Sequence, residues 1–175
     1  MVWIQSSIYH VWPNFSIHVP RIINFQECSH YHLHGENGSG KSSFITQILI
    51  PTALEQKNNL ITLFIDYQNR LQFNTIRADS FLRKYPLPID DITDTIHYLL
   101  SELKSILSTC KKDVLIIIDE IPNIDILTDF ISSNQSLKVC VVQTLHGNLI
   151  PISDMKLRTL EMALLSPLAA QIIET

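Results

Sequence analysis

Residues 34–43 read His-Gly-Glu-Asn-Gly-Ser-Gly-Lys-Ser-Ser, which sets Gly35, Gly40, Lys41 and Ser42 at G-x-x-x-x-G-K-S spacing. That spacing suits a loop that wraps the phosphates of a nucleoside triphosphate. Glycines at 38 and 40 can take left-handed torsions that turn backbone N–H groups onto phosphate oxygens. Lys41 supplies a cation and the Ser42 hydroxyl suits Mg²⁺. A helix starting near Lys41 aims its unpaired amides and its dipole at the same anion. Asn37, Gly38, Ser39, Gly40, Lys41, Ser42 and Ser43 are therefore the candidate nucleotide-binding residues.

A second set of reactive groups is Asp119-Glu120, directly after five aliphatic residues at 114–118. Such a run, mostly β-branched, reads as a strand buried on both faces of a parallel sheet, and α/β folds place ligand sites at the C-terminal ends of these strands. Asp119 can hold Mg²⁺ through water, and Glu120 can orient or deprotonate an attacking water. Of the aromatic residues ahead of the loop, Tyr9, Trp12 and Phe15, one ring can stack on an adenine, with Trp12 or Tyr9 preferred; packing of a sheet is the plain alternative. Cys28, His30, His32 and His34 alternate. On one strand they would share a face and could ligate a metal, although no further ligand set accompanies them.

These residues need elements to hold them. Short strands are expected at 8–11, 15–19, 22–25 and 31–33, punctuated by Pro13-Asn14 and Pro20, and together they read as a small antiparallel sheet before the loop. Apolar spacing predicts a helix over 42–53, broken or ended near Pro51. A strand at 60–65 and a loop marked by Pro86 and Pro88 precede a second helix. Asp90, Asp91 or Thr93 caps it, and its apolar face runs Ile96, Leu99, Leu100, Leu103, Ile106, Leu107. After the strand at 114–118, another at 139–142 delivers Gln143, Thr144 and His146. A last strand at 155–160 and a terminal helix at 164–173 follow. This order predicts an α/β fold, a P-loop NTPase sandwich with a mostly parallel core sheet flanked by helices and a small N-terminal antiparallel β part, in a single ATP-binding domain over 1–175.

Composition narrows the function classes. With 175 residues, 46% of them hydrophobic, one sizeable core can form. The net charge is −4 and Lys and Arg are spread along the sequence, so no nucleic-acid surface is expected. Cys28, Cys110 and Cys140 lie far apart, which suggests neither a disulfide framework nor a zinc knuckle and fits a reducing cytoplasm. No basic stretch leads an apolar one at the N-terminus, so no signal peptide is expected. The longest aliphatic run is far too short to cross a bilayer, which leaves membrane association to a partner.

Over most of its length the sequence resembles the ATP-binding cassette (ABC) ATPases. Residues 35–43 look like their Walker A, and residues 116–120 look like their Walker B followed by the catalytic glutamate. The resemblance implies further roles. Gln68, trailed by Phe73-Asn74-Thr75-Ile76-Arg77, is similar to the Q-loop glutamine that reaches Mg²⁺, with Gln72 a second candidate. Asp125 is similar to the D-loop aspartate, His146 to the switch histidine near the γ-phosphate, and residues 152–162 to the strand that follows it. The signature L-S-G-G-Q is missing: the family's spacing lands on Thr95-Ile96-His97-Tyr98-Leu99, which holds no glycine. The segment between Gln68 and Asp119 is also short, as for a trimmed helical subdomain.

The resemblance thus implies a cytoplasmic ATPase that binds ATP and Mg²⁺ and hydrolyses ATP with Glu120 as base, assisted by Gln68 and His146. Ser42, Gln68 and Asp119 would serve the metal. Such a subunit sits at the inner face of the membrane through a partner and energises transport. The implied partners are a transmembrane permease subunit, a second ATPase subunit with an intact signature, or both. Two alternatives stay open: a weakly hydrolytic or inactive nucleotide-binding subunit of a heteromer, and the DNA-maintenance branch of the superfamily, which needs a coiled-coil insertion or a basic groove that the sequence does not display.

Overall fold

The structure is a computed structural model that describes residues 1–56, 60–66, 73–78, 81–86, 92–109, 111–121 and 124–175. The chain opens with β1 (Val2–Ile4), β2 (Ser7–Trp12), β3 (Phe15–Val19), β4 (Ile23–Phe25) and β5 (Ser29–Gly35). A helical stretch follows, composed of α1 (Lys41–Phe44), a π-helical turn (Ile45–Leu49) and α2 (Ile50–Glu55). Then come β6 (Leu60–Asp66), β7 (Phe73–Ala78), β8 (Phe81–Pro86), α3 (Ile92–Thr109), β9 (Asp113–Asp119), α4 (Asp125–Ser133), β10 (Val139–Thr144), β11 (Lys156–Ser166) and β12 (Ala169–Glu174).

The fold is α/β. Ten strands form one curled, mixed sheet in the order β2-β3-β12-β11-β5-β10-β9-β6-β7-β8. Its middle, β11-β5-β10-β9-β6, runs parallel throughout. Antiparallel β7 and β8 extend one side; β12, antiparallel to β11, extends the other and passes the sheet on to the β2–β3 hairpin. β1 and β4 make a separate two-stranded antiparallel sheet.

Strand β9 shows why its sequence is an unbroken aliphatic run. Leu115 and Ile117 enter a core shared with Tyr31, Leu33, Phe44, Ile45 and Leu49, whereas Val114, Ile116 and Ile118 enter a second core with Ile96, Leu99, Leu100 and Leu103 of α3. Both faces are covered, which accounts for the apolar run from Val114 to Ile118. The stripe expected on α3 is the one that packs, with Ile106 and Leu107 partly buried at its end.

Two expectations need correction and one is refined. Of the two outcomes expected near Pro51, the α-helix is broken ahead of it and not ended there. Its π-helical turn closes with the Ile50 N–H bonded to Ile45 O, and α2 then restarts with Pro51 in its first turn, where a missing N–H costs little. Burial of Phe44, Ile45, Ile48 and Leu49 at about 1.5–3 kcal/mol each outweighs the irregularity. The helix expected at 164–173 is instead the β11–β12 hairpin, in which Ala170 and Ile172 alternate inward and residues 167–168 turn the chain. Finally, the N-terminal strands do not form one small sheet: β2 and β3 join the large one, and β4 pairs with β1, a strand the sequence reading missed.

Candidate active site

Strands β5, β10 and β9 end in step. Thr144 stands in register with both Leu33 and Asp119, so the loop after β5 and the residues after β9 emerge side by side. From β5 the chain crosses to β6, beyond β9, whereas from β10 it returns to β11 on the far side of β5. Connections that diverge in this way leave a crevice at the carboxyl ends of the strands.

The Gly-rich loop lines that crevice. Gly38 (φ 79°) and Gly40 (φ 98°) occupy the left-handed region. A Cβ on Gly40 would also lie 3.0 Å from the Phe15 ring, so β3 seats the loop from outside. The Ser39 N–H donates to Glu36 O (3.1 Å) and the Phe44 N–H to Gly40 O (2.8 Å), which closes the loop and starts the helix. Lys41 is 8% exposed, and its Nζ donates to the loop carbonyls of Gly35 (2.6 Å) and Glu36 (3.2 Å). Ser39 Oγ is buried and has no hydrogen-bond partner among the described residues.

Opposite the loop lies the end of β9. Ser42 Oγ donates to Asp119 Oδ2 (3.2 Å), and Thr144 Oγ1 donates to Asp119 Oδ1 (2.5 Å), so both carboxylate oxygens are held. The next residue, Glu120, has φ 61°, a conformation that costs a residue with a Cβ about 1–2 kcal/mol. Its N–H is caught by Thr144 twice, at Oγ1 (3.0 Å) and at O (3.2 Å), which offsets the cost and turns the side chain into the crevice. There the carboxylate, 14% exposed, meets His146 Nε2 at 3.4 Å. On the outer wall, Trp12 Nε1 donates to Ser43 Oγ (3.0 Å), although 56% of the residue stays exposed.

The structure thus brings together Trp12, Phe15, the loop from Asn37 to Ser43, Glu120 and His146 around one cleft of about 300 Å³, with Asp119 buried beneath it. Tyr9 does not join them; its hydroxyl donates to Gln5 O (2.9 Å) and its ring packs on the core. Gln68 and Gln72 lie outside the described residues, as do residues 122–123; β6, which ends just before Gln68, pairs Asp66 with Asp119 at the same edge. Asp125 opens α4.

The Cys28 to His34 stripe separates. Cys28 precedes β5 with φ 56° and is off the strand. His30, His32 and His34 do share the face opposite Tyr31 and Leu33. Burial holds His32 below its ordinary pKa, while its Nε2–H donation to Leu145 O (3.2 Å) acts in the other direction. Among the described residues no three His, Cys, Asp or Glu side chains gather as a metal would require. Thr144 is the site residue whose part the sequence did not assign; its place at the end of a strand on the ligand edge was the available signal.

This chain matches no protein-family model and no curated protein. Among the described residues no helix is long and apolar enough to cross a membrane.

Proposed function

We propose that this chain is a P-loop ATPase of the ABC type that binds MgATP in the cleft and hydrolyses it, as the energising subunit of a membrane transport system. One observation carries the reading: Ser42 and Asp119, 77 residues apart, meet at 3.2 Å, with Glu120 and His146 on the wall of the same cleft. A hydroxyl beside a carboxylate is an oxygen set suited to Mg²⁺, and the unpartnered, buried Ser39 Oγ belongs to the loop that lines the cleft. Mg²⁺ held by Ser42 and Asp119, with Gln68 as the resemblance implies, would neutralise charge on the phosphates.

The chain's own groups supply the remainder. The loop amides and Lys41 Nζ donate to phosphate oxygens. Trp12 offers an exposed ring for the adenine, with its edge fixed by Ser43. Glu120 takes the proton of the water that attacks the γ-phosphate in line, and His146, within reach of that carboxylate, donates toward the developing charge. A second reading, dependence on a partner, draws on α3: residues 95–99 form part of a continuous helix with His97 and Tyr98 exposed, where the family brings bare glycine backbone to a neighbour's nucleotide. Turnover would then need a permease or a second subunit with an intact signature.

The decisive experiment compares wild type with Glu120→Gln for MgATP binding and phosphate release. Binding should persist while turnover falls about a hundred- to ten-thousandfold, the range of a lost general base. Wild-type turnover in Glu120→Gln removes this residue as base, and no binding of MgATP by either protein removes the nucleotide reading altogether.

A further inference from the structure

Behind the cleft, on the other face of the sheet, runs a polar chain that the proposed chemistry does not use. His30 of β5, fully buried, accepts the Ile152 N–H at Nδ1 (3.3 Å). With Nδ1 an acceptor, the imidazole carries its proton on Nε2, which donates to Gln143 Oε1 of β10 (2.9 Å). That bond fixes the direction of the amide, so Gln143 Nε2 donates to Ile121 O (2.8 Å). Gln143 and Ile121 are each 1% exposed. Every polar atom in the chain has its partner, and burial holds His30 below its ordinary pKa, which keeps the imidazole in the neutral form this pattern needs.

The relay ends on the residue directly after Glu120. Thr144 grips the Glu120 N–H from one face of β10, and Gln143, pointing to the other face, grips the carbonyl of Ile121. Glu120 is thereby bracketed on both sides while it holds a left-handed backbone that a glutamate rarely adopts. A carboxylate on a backbone free to relax to negative φ would swing away from His146 and from the cleft. Resting on the reading of Glu120 as base, the geometry points to His30 and Gln143 as positioning residues that aim this carboxylate from the far side of the sheet.

The test uses the full chain with Gln143→Met, which keeps the length and loses both hydrogen bonds, and with Gln143→Asn, which keeps the amide but is too short to span His30 and Ile121. Three quantities are read: the MgATP dissociation constant, the turnover at saturation, and amide hydrogen exchange by NMR at Glu120, with Leu115 and Ile117 of β9 as internal controls. Both variants should bind MgATP within about threefold of wild type, turn over at least tenfold more slowly, and exchange the Glu120 amide at least tenfold faster while the β9 controls stay put. Unchanged exchange at Glu120 overturns the relay. So does equal loosening of the β9 amides, which would make the network a packing feature only. Absence of turnover in the wild type would sink the hydrolytic reading instead, and the exchange rates would still decide this one.

Discussion

Thr144→Val isolates the grip on Asp119. The two side chains have nearly the same shape, so little cavity forms, and the change removes one hydroxyl. Lost is the donation to Asp119 Oδ1, a hydrogen bond to a charged group between residues 0% and 2% exposed, where water cannot replace it. Bonds of this kind contribute about 1.5–3 kcal/mol. The Glu120 N–H loses Oγ1 but keeps Thr144 O at 3.2 Å, so the backbone adds little to the total. For a chain of this size each kcal/mol moves the melting temperature by about 2–4 °C, and the variant should therefore melt about 3–12 °C below wild type. Thermal unfolding followed by circular dichroism measures this, and Thr144→Ser, which restores the hydroxyl, should recover most of the loss. A Thr144→Val protein that melts within a degree of wild type would refute the reasoning, because Asp119 would then have no need of the donor.

Lys41→Ala should weaken MgATP binding by about 1.5–3 kcal/mol, or ten- to a hundredfold, by isothermal titration; equal affinity would remove the loop assignment. Acid should destabilise the fold through His30. Its folded pKa lies below the ordinary 6.5, so the unfolded chain binds more protons at mildly acidic pH; stability is full above about 6.5 and drains as pH falls toward the folded value. Melting curves from pH 7.5 to 5.5 should show that slope, and His30→Gln should reduce it while leaving the share of His32, whose pKa burial also lowers; an unaltered slope excludes His30 as a source. On the proposed ABC reading, which implies that His97 and Tyr98 stand where a symmetric pair would need glycine, light scattering after size-exclusion chromatography should find the purified chain largely monomeric with MgATP even as Glu120→Gln; a tight nucleotide-dependent homodimer would count against that reading.

Legibility followed the strength of local constraint. The loop could be read because Gly38 and Gly40 do what only glycine does cheaply, and β9 because burial on both faces accounts for the apolar run from Val114 to Ile118. Residues 164–173 misled because Leu and Ala favour helices, and Leu164, Leu165 and Leu168 suit either period. Pairing with β3 and β11 decided the outcome, and neighbours so remote leave no trace in a local window. The same holds for the site. Asp119, Glu120 and the loop announce themselves by type and spacing, whereas Thr144, Gln143 and His30 matter through contacts 24, 22 and 113 residues distant, which spacing cannot encode.

The place of β12 governs the order in which the molecule can assemble. Within the sheet the β2–β3 hairpin is bonded to the central strands through β12, about 150 positions later, so that pairing closes a large loop at a high entropy cost. As the chain leaves the ribosome, β5, β9 and β10 can zip together before β12 exists to pair with β3, so that Trp12 and Phe15 meet Ser43 and Gly40 without that strand behind them. The wall of the cleft that carries Trp12 is thus the last to gain its sheet backing, and a chain cut after Ser166 would keep the Gly-rich loop yet loosen that wall.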